Sequence, residues 1–198
     1  MAASEVEIVN RALALLGVSS ITSLADQTES ASTANLLWDD SRAATFRSHP
    51  WNCLTKRAAL AKDINAPAWG FTNSFTLPAD YLRLLTIEEP LLAYEIENGF
   101  IFSDDDSMNI KYTALVTDVT KYDVLLVDAL AARLSADLCQ PLLQSASAME
   151  AMWKMYQDKL REARYVDAQE NSQDVLEADT WIDARLGVPS PIDTPPRW

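Results

Sequence analysis

The chain has 198 residues, with 16 Lys and Arg against 29 Asp and Glu, a formal net charge of −13. Hydrophobic residues make up 48% of it, enough for a packed core of one domain, which excludes a disordered chain. No apolar run reaches the roughly 20 residues that a spanning helix needs, and so acidic a chain repels phosphate, which argues against a basic nucleic-acid groove.

Met1 to Asn10 lacks a basic region followed by an apolar stretch, so no secretory signal is expected. Ser4 with Glu7 three residues on has the form of a capping box. Val6, Val9, Leu13 and Leu16 follow at helical spacing, and Gly17 stands where a left-handed cap ends a helix. After a Ser- and Thr-rich loop, Thr28 or Ser30 can cap a second helix near Ala31 to Ser48. Its inner side is Ala34, Leu37, Trp38, Ala44 and Thr45, and His49-Pro50 closes it.

The middle third loses helical periodicity. Leu54 to Ala61 reads as an extended stretch or a short helix, and Phe71 to Thr76 as a strand. Leu77 to Asp80 is turn chemistry, and Tyr81 to Ile87 is rich in strand formers. Tyr94 to Ile96 and Phe100 to Phe102, split by Asn98-Gly99, form a hairpin signal, and Met108 to Tyr112 is a further strand. Helix then returns. Thr120 is the expected cap for a segment from Tyr122 to about Leu143, with Leu126, Leu130, Leu134 and Leu138 four residues apart. Ala129, Ala132 and Ala136 beside them permit close helix approach, and Pro141 should kink or stop the helix. A fourth helix spans about Ser145 to Asn171, buried along Met152, Tyr156, Leu160 and Ala163. A short helix around Thr180 to Leu186 is possible in the acidic end.

The expected fold is α+β and mainly α: an antiparallel four-helix bundle with a small inserted antiparallel β-sheet and an extended C-terminal tail. Residues 1–62 and 120–172 supply the bundle, 63–119 the sheet, and 173–198 an acidic, Pro-rich arm. Charge is uneven along this plan, since residues 1–62 hold 6 acids and 6 bases and the rest holds 23 acids and 10 bases.

Few residues invite chemistry. Asp104, Asp105 and Asp106 stand together, but a calcium loop wants spaced carboxylates and a turn glycine, so a solvated turn is expected. Glu88-Glu89 and Glu95 with Glu97 offer carboxylate pairs of the kind used in glycoside hydrolysis, with nothing to fix their separation. The single histidine, His49, reads as a packed helix-end residue, and Cys53 and Cys139 as small buried hydrophobes. No catalytic residue, cofactor or metal site is expected. Trp181 and Trp198 lie in an arm with few other apolar residues, where aromatic side chains either anchor in a partner's pocket or pack back on the chain's own domain. Trp181, Ile182, Leu186, Ile192, Arg197 and Trp198 are the candidate partner-interface residues.

Four blocks in order carry a family resemblance. Ala14 to Gly17 leads into Ser20 to Leu24. Pro50-Trp51-Asn52 precedes Lys56-Arg57-Ala58-Ala59-Leu60. Leu77 to Leu84 comes next, then Ile110-Lys111-Tyr112, and last Ala129 to Cys139. Together, over about residues 5–170, they resemble the tail tubular protein A, or head-to-tail adaptor, family of short-tailed bacteriophages. Cys53 stands where that family has an aromatic residue, and the arm matches no pattern of it. The resemblance implies a non-enzymatic virion protein of the neck, made in the host cytoplasm. It implies a ring, typically of twelve copies, between the portal protein and a tail nozzle of the tubular protein B kind, with double-stranded DNA passing through the lumen and no membrane contact. An acidic lumen would let DNA slide, since phosphates find no cations there. The competing readings are a head-completion or other neck protein of a longer-tailed phage, a virion-associated cell-wall hydrolase, and a helical interaction module of the host cytoplasm.

Overall fold

In the computed structural model, residues 4–65 and 67–170 are described. The chain divides into two compact units, Met1–Ala168 and Gln169–Trp198. The expected helix near Thr180 and all six candidate interface residues of the arm lie outside the described residues.

Helix α1 (Glu5–Leu15) begins where Ser4 accepts the Glu7 amide at 3.2 Å. It ends on Gly17 at φ +69°, where the Val18 amide reaches back to Leu13 O and the Gly17 amide to Ala14 O. That paired closure needs a left-handed residue, which glycine adopts without strain. Thr28, rather than Ser30, caps α2 (Glu29–Arg47) by accepting the Ala31 amide. The third helix, α3 (Val124–Leu143), is capped by Asp123, whose carboxylate accepts the Leu125 and Leu126 amides. Thr120, the expected cap, instead sits in a short 3-10 turn capped by Asp118. An ionised carboxylate at the N-terminus also meets the positive end of the helix dipole, so the aspartate is the stronger cap. Pro141 does not stop α3, which runs two residues further and closes with Gln144 at φ +48°. The fourth helix, α4, spans Ala146–Gln169.

The four helices do not form the expected bundle. α3 packs backbone-close against α1 and α2, but α4 does not lie in this way along any of them. The facing residues explain the difference. Ala12, Ala31, Ala34, Ala131 and Ala132 are buried where α1, α2 and α3 meet, so their axes approach closely. α4 turns Tyr156 and Leu160 inward, with Trp153 partly exposed beside them, and side chains of that size hold its axis away. It is joined instead through long side chains. The Arg133 guanidinium lies 4.9 Å from the Trp153 ring centre and 5.6 Å from that of Tyr156.

The β part is also larger than expected: two three-stranded antiparallel sheets rather than one small sheet. The first has the order β1 (Thr55–Leu60), β6 (Met108–Ala114), β3 (Tyr81–Ile87). The second has the order β2 (Asn73–Thr76), β5 (Phe100–Ser103), β4 (Tyr94–Glu97). The first is built from segments far apart in sequence, Leu60 lying opposite Met108 and Ile87 opposite Ile110. The second contains the expected hairpin, its turn at Asn98 (φ +45°) and Gly99 (φ +83°). A bridge between Lys62 and Phe75 links the two sheets. Phe75, Ile101, Met108, Ile110 and Tyr112 join the helices in one core with Phe46, Trp51 and Leu54.

Candidate functional site

Strand register decides which loops share an end of the β part. β1 ends at Leu60 and β3 at Ile87, both beside the start of β6 at Met108. β2 starts and β5 ends at one position, Asn73 facing Ser103, and Tyr94 also faces Ser103. The loops 61–72, 88–93 and 104–107 therefore gather at one end, while the other end of the first sheet runs into η1 (Asn52–Leu54) and the 3-10 turn before α3. Side chains tie the gathered loops together. Asp104 accepts the amide and hydroxyl of Thr72, both at 2.9 Å, the Asp105 carbonyl accepts Asn73 Nδ2, and Asp106 pairs with Lys62 at 2.8 Å. The three adjacent aspartates thus face three different neighbours. They fasten the β5–β6 turn to its surroundings, and the Lys62 ammonium holds the Asp106 carboxyl below its ordinary range.

This distal tip carries the most exposed large apolar side chains of the described residues. Ile64 is 98% exposed, Trp69 88% and Leu91 101%. Glu88, Glu89, Asp104 and Asp106 stand exposed around them. Large apolar side chains exposed on loops at one end, with acids on the same loops, are a composition suited to a protein–protein contact.

A second surface lies on the outer face of the first sheet. Arg57 faces Lys111, and Lys111 faces Thr86, so all three project to the side away from Ile110 and Tyr112. A bulge between Tyr81 and Arg83 turns Arg83 to that side as well, opposite Thr113. Arg57, Ala59, Thr86, Glu88, Asn109 and Lys111 line an open bay of about 510 Å³ there. Among the described residues, Arg57, Arg83 and Lys111 have neither a carboxylate nor a hydrogen-bond acceptor, whereas Arg11, Arg42, Lys56, Lys62, Arg133 and Lys159 are each paired with acids. A local excess of positive charge stands out on a chain of net charge −13.

A larger groove of about 950 Å³ lies between α2, α3 and α4. It is lined by Leu37, Ala44, Ala136, Met149 and Trp153 among others, with Ser41 donating to Asp137 at 2.7 Å on its floor.

The remaining polar cluster is structural. Near its end, α4 places Asp167 beneath η1. Its carboxylate accepts the Asn52 amide at 3.0 Å and stands 3.2 Å from His49 Nε2, and its carbonyl accepts Asn52 Nδ2. Arg164 donates to Ser48 O at 2.7 Å. Burial lowers the His49 pKa, outweighing the opposite pull of the Asp167 charge. His49 also meets Trp51 edge-on at 4.8 Å. Elsewhere, burial together with a hydrogen bond to Asp80 pushes the Tyr112 hydroxyl up to about 12. Cys53 and Cys139 are free thiols, raised by burial.

Of the carboxylate pairs singled out in the sequence, Glu88 and Glu89 line a small cavity of about 150 Å³ with Asp105, and Glu95 and Glu97 do not join them there. Glu88 accepts from Asn109 Nδ2, and Glu95 and Glu97 stand on β4, whose four residues are all exposed. Among the described residues, no group of three or more His, Cys, Asp or Glu is placed to hold a metal ion. Sequence reasoning missed the tip and the basic face. Trp69 beside Pro67 and Gly70 was the one local sign of the tip, and the basic face needed the pairing of β1 with β6. No protein-family model matches the chain, and no curated protein matches it.

Proposed function

We propose that this chain is a structural virion protein: a head-to-tail adaptor whose copies form a ring between a portal and a tail nozzle, with DNA passing through the lumen. The observation that carries the reading is the distal tip. Ile64, Trp69 and Leu91 are nearly fully exposed; the aspartate contacts hold the loop of the first two, and the Ser103 hydroxyl donates to Ala93 O at the end of the loop of Leu91. Keeping three such side chains in water is unfavourable for a free monomer, and burying them against a partner gains on the order of 1.5–3 kcal/mol each. A helical layer at one end and this tip at the other give the subunit two unlike ends, as a protein seated between two different rings requires. The order of the four sequence blocks supports the same assignment.

The test is the mass of the purified chain by light scattering, alone and mixed with a portal ring. A stoichiometric complex with the portal supports the adaptor, and the variant Ile64→Ser/Trp69→Ser/Leu91→Ser should then lose one of the two ring partners while still folding. A chain indifferent to portal and nozzle alike would sink the proposal.

A further inference from the structure

The two sheets each end in an open edge, and the edges are opposite in charge. β1 is one edge of the first sheet, with β3 at the other side of β6. β4 is one edge of the second, and the opposite edge, β2, is bridged by Lys62 at Phe75. Among the described residues, the backbones of 56–60 and 94–97 make no hydrogen bonds outside these ladders. β1 reads Thr-Lys-Arg-Ala-Ala-Leu and β4 reads Tyr-Glu-Ile-Glu. Among the described residues, Glu95, Glu97, Arg57 and Lys111 form no ion pair, although Glu88 shares the bay of the two cations.

We propose that β4 of one copy adds to β1 of the next, so that the two sheets run on across the boundary between subunits. This rests on the ring assembly proposed above and names its subunit contact. Both faces of such a junction match. Glu95 and Glu97 lie on the outer face of the second sheet, on the side of Phe100 and Phe102. Arg57 and Lys111 lie on the outer face of the first. Joined with the outer faces continuous, Arg57 stands directly against the glutamates, and Lys111 adds its charge from one strand further in. On the inner faces, Tyr94 and Ile96 meet Ala58 and Leu60, which are half-buried. Main-chain hydrogen bonds supply the affinity of a strand addition, and the side chains supply its selectivity.

The charges also choose the symmetry. Glutamates on a bare edge oppose pairing of β4 with another β4, and cations oppose pairing of β1 with another β1. Between these two edges, only the unlike pairing is favoured. That contact is head-to-tail, so each copy keeps one free edge of each kind until a ring closes.

The experiment compares four full-length chains by sedimentation, each alone and with a portal ring: wild type, Glu95→Lys/Glu97→Lys, Arg57→Glu/Lys111→Glu, and the chain carrying all four changes. Either pair alone should weaken self-association more than about tenfold, because like charges then face each other. The chain with all four changes should recover it, as should an equimolar mixture of the two single-pair chains. Circular dichroism of every variant separates lost association from lost folding, and the recovered chain must be folded to associate. The contact is overturned if either reversed chain still forms rings on the portal, or if combining the changes recovers nothing; both outcomes leave the adaptor reading in place. A wild-type chain that stays monomeric with and without the portal overturns the contact and the adaptor together.

Discussion

The layer of α1, α2 and α3 and the pair of sheets divide the work of the molecule. The helices meet through alanines and leucines, and Leu126, Leu130, Leu134 and Leu138 on α3 are all buried. The sheets bury one face each and leave β4, the outer face of β1 and the distal loops open. Buried packing runs through the helices and the inner faces of the sheets, and the surface available to partners lies where long-range strand pairing has brought loops together. A region can therefore be decisive for assembly while contributing little to the free energy of folding.

Substitutions that break this division rank by where they fall. Leu130→Ala, at the centre of α3, should lower stability by about 3 kcal/mol, read from urea unfolding, since it removes a fully buried side chain from a tight contact. Asp167→Ala strikes the joint between α4 and η1. It leaves the Asn52 amide without its acceptor and should cost about 2 kcal/mol by the same measurement. A cost below a few tenths would mean that α4 is held by its aromatic contacts alone.

The third prediction concerns pH. The His49 pKa is lowered in the folded state, so the unfolded chain binds the proton more tightly. The associated stability is complete above the unfolded value of about 6.5 and is lost as pH falls from there through the folded value. The thermal midpoint should drop across that window, and His49→Gln should flatten the decline. A His49→Gln profile with the same slope would place the titration elsewhere. The smallest stability effect belongs to the tip. Ile64→Ser/Trp69→Ser/Leu91→Ser should change unfolding by no more than about 0.5 kcal/mol per site, since these side chains bury little. A large loss would show that the tip is part of the core.

The same contrast explains what could be read from sequence. Ser4, Gly17, Asn98 and Gly99 act on their neighbours within a few residues, and the structure places the α1 boundaries and the β4–β5 turn where those residues point. The strand β3 also spans Tyr81–Ile87, as its composition indicates. Of the stripe expected on α4, Tyr156, Leu160 and Ala163 are buried and Met152 is half-buried. A period of 3.6 gives the face that is covered and not the element that covers it, so the bundle did not follow. The first sheet joins residues such as Arg57 and Lys111, and no local pattern specifies that pairing. The basic face, which needs three such strands in register, was out of reach for the same reason. The distal tip needed the register of both sheets.

The turn from α3 to α4 gives the molecule a lever. Only Gln144 and Ser145 separate the two helices, and the left-handed Gln144 sets their angle. α4 has 24 residues, so it is an arm of roughly 36 Å pivoting on a two-residue elbow. A tilt of about 5° at the elbow carries the far end through about 3 Å, the length of a hydrogen bond. The far end is latched at that scale, by Asp167 on Asn52 and Arg164 on Ser48. Any tilt of α4 at the elbow would therefore break both contacts at η1, where the chain enters β1.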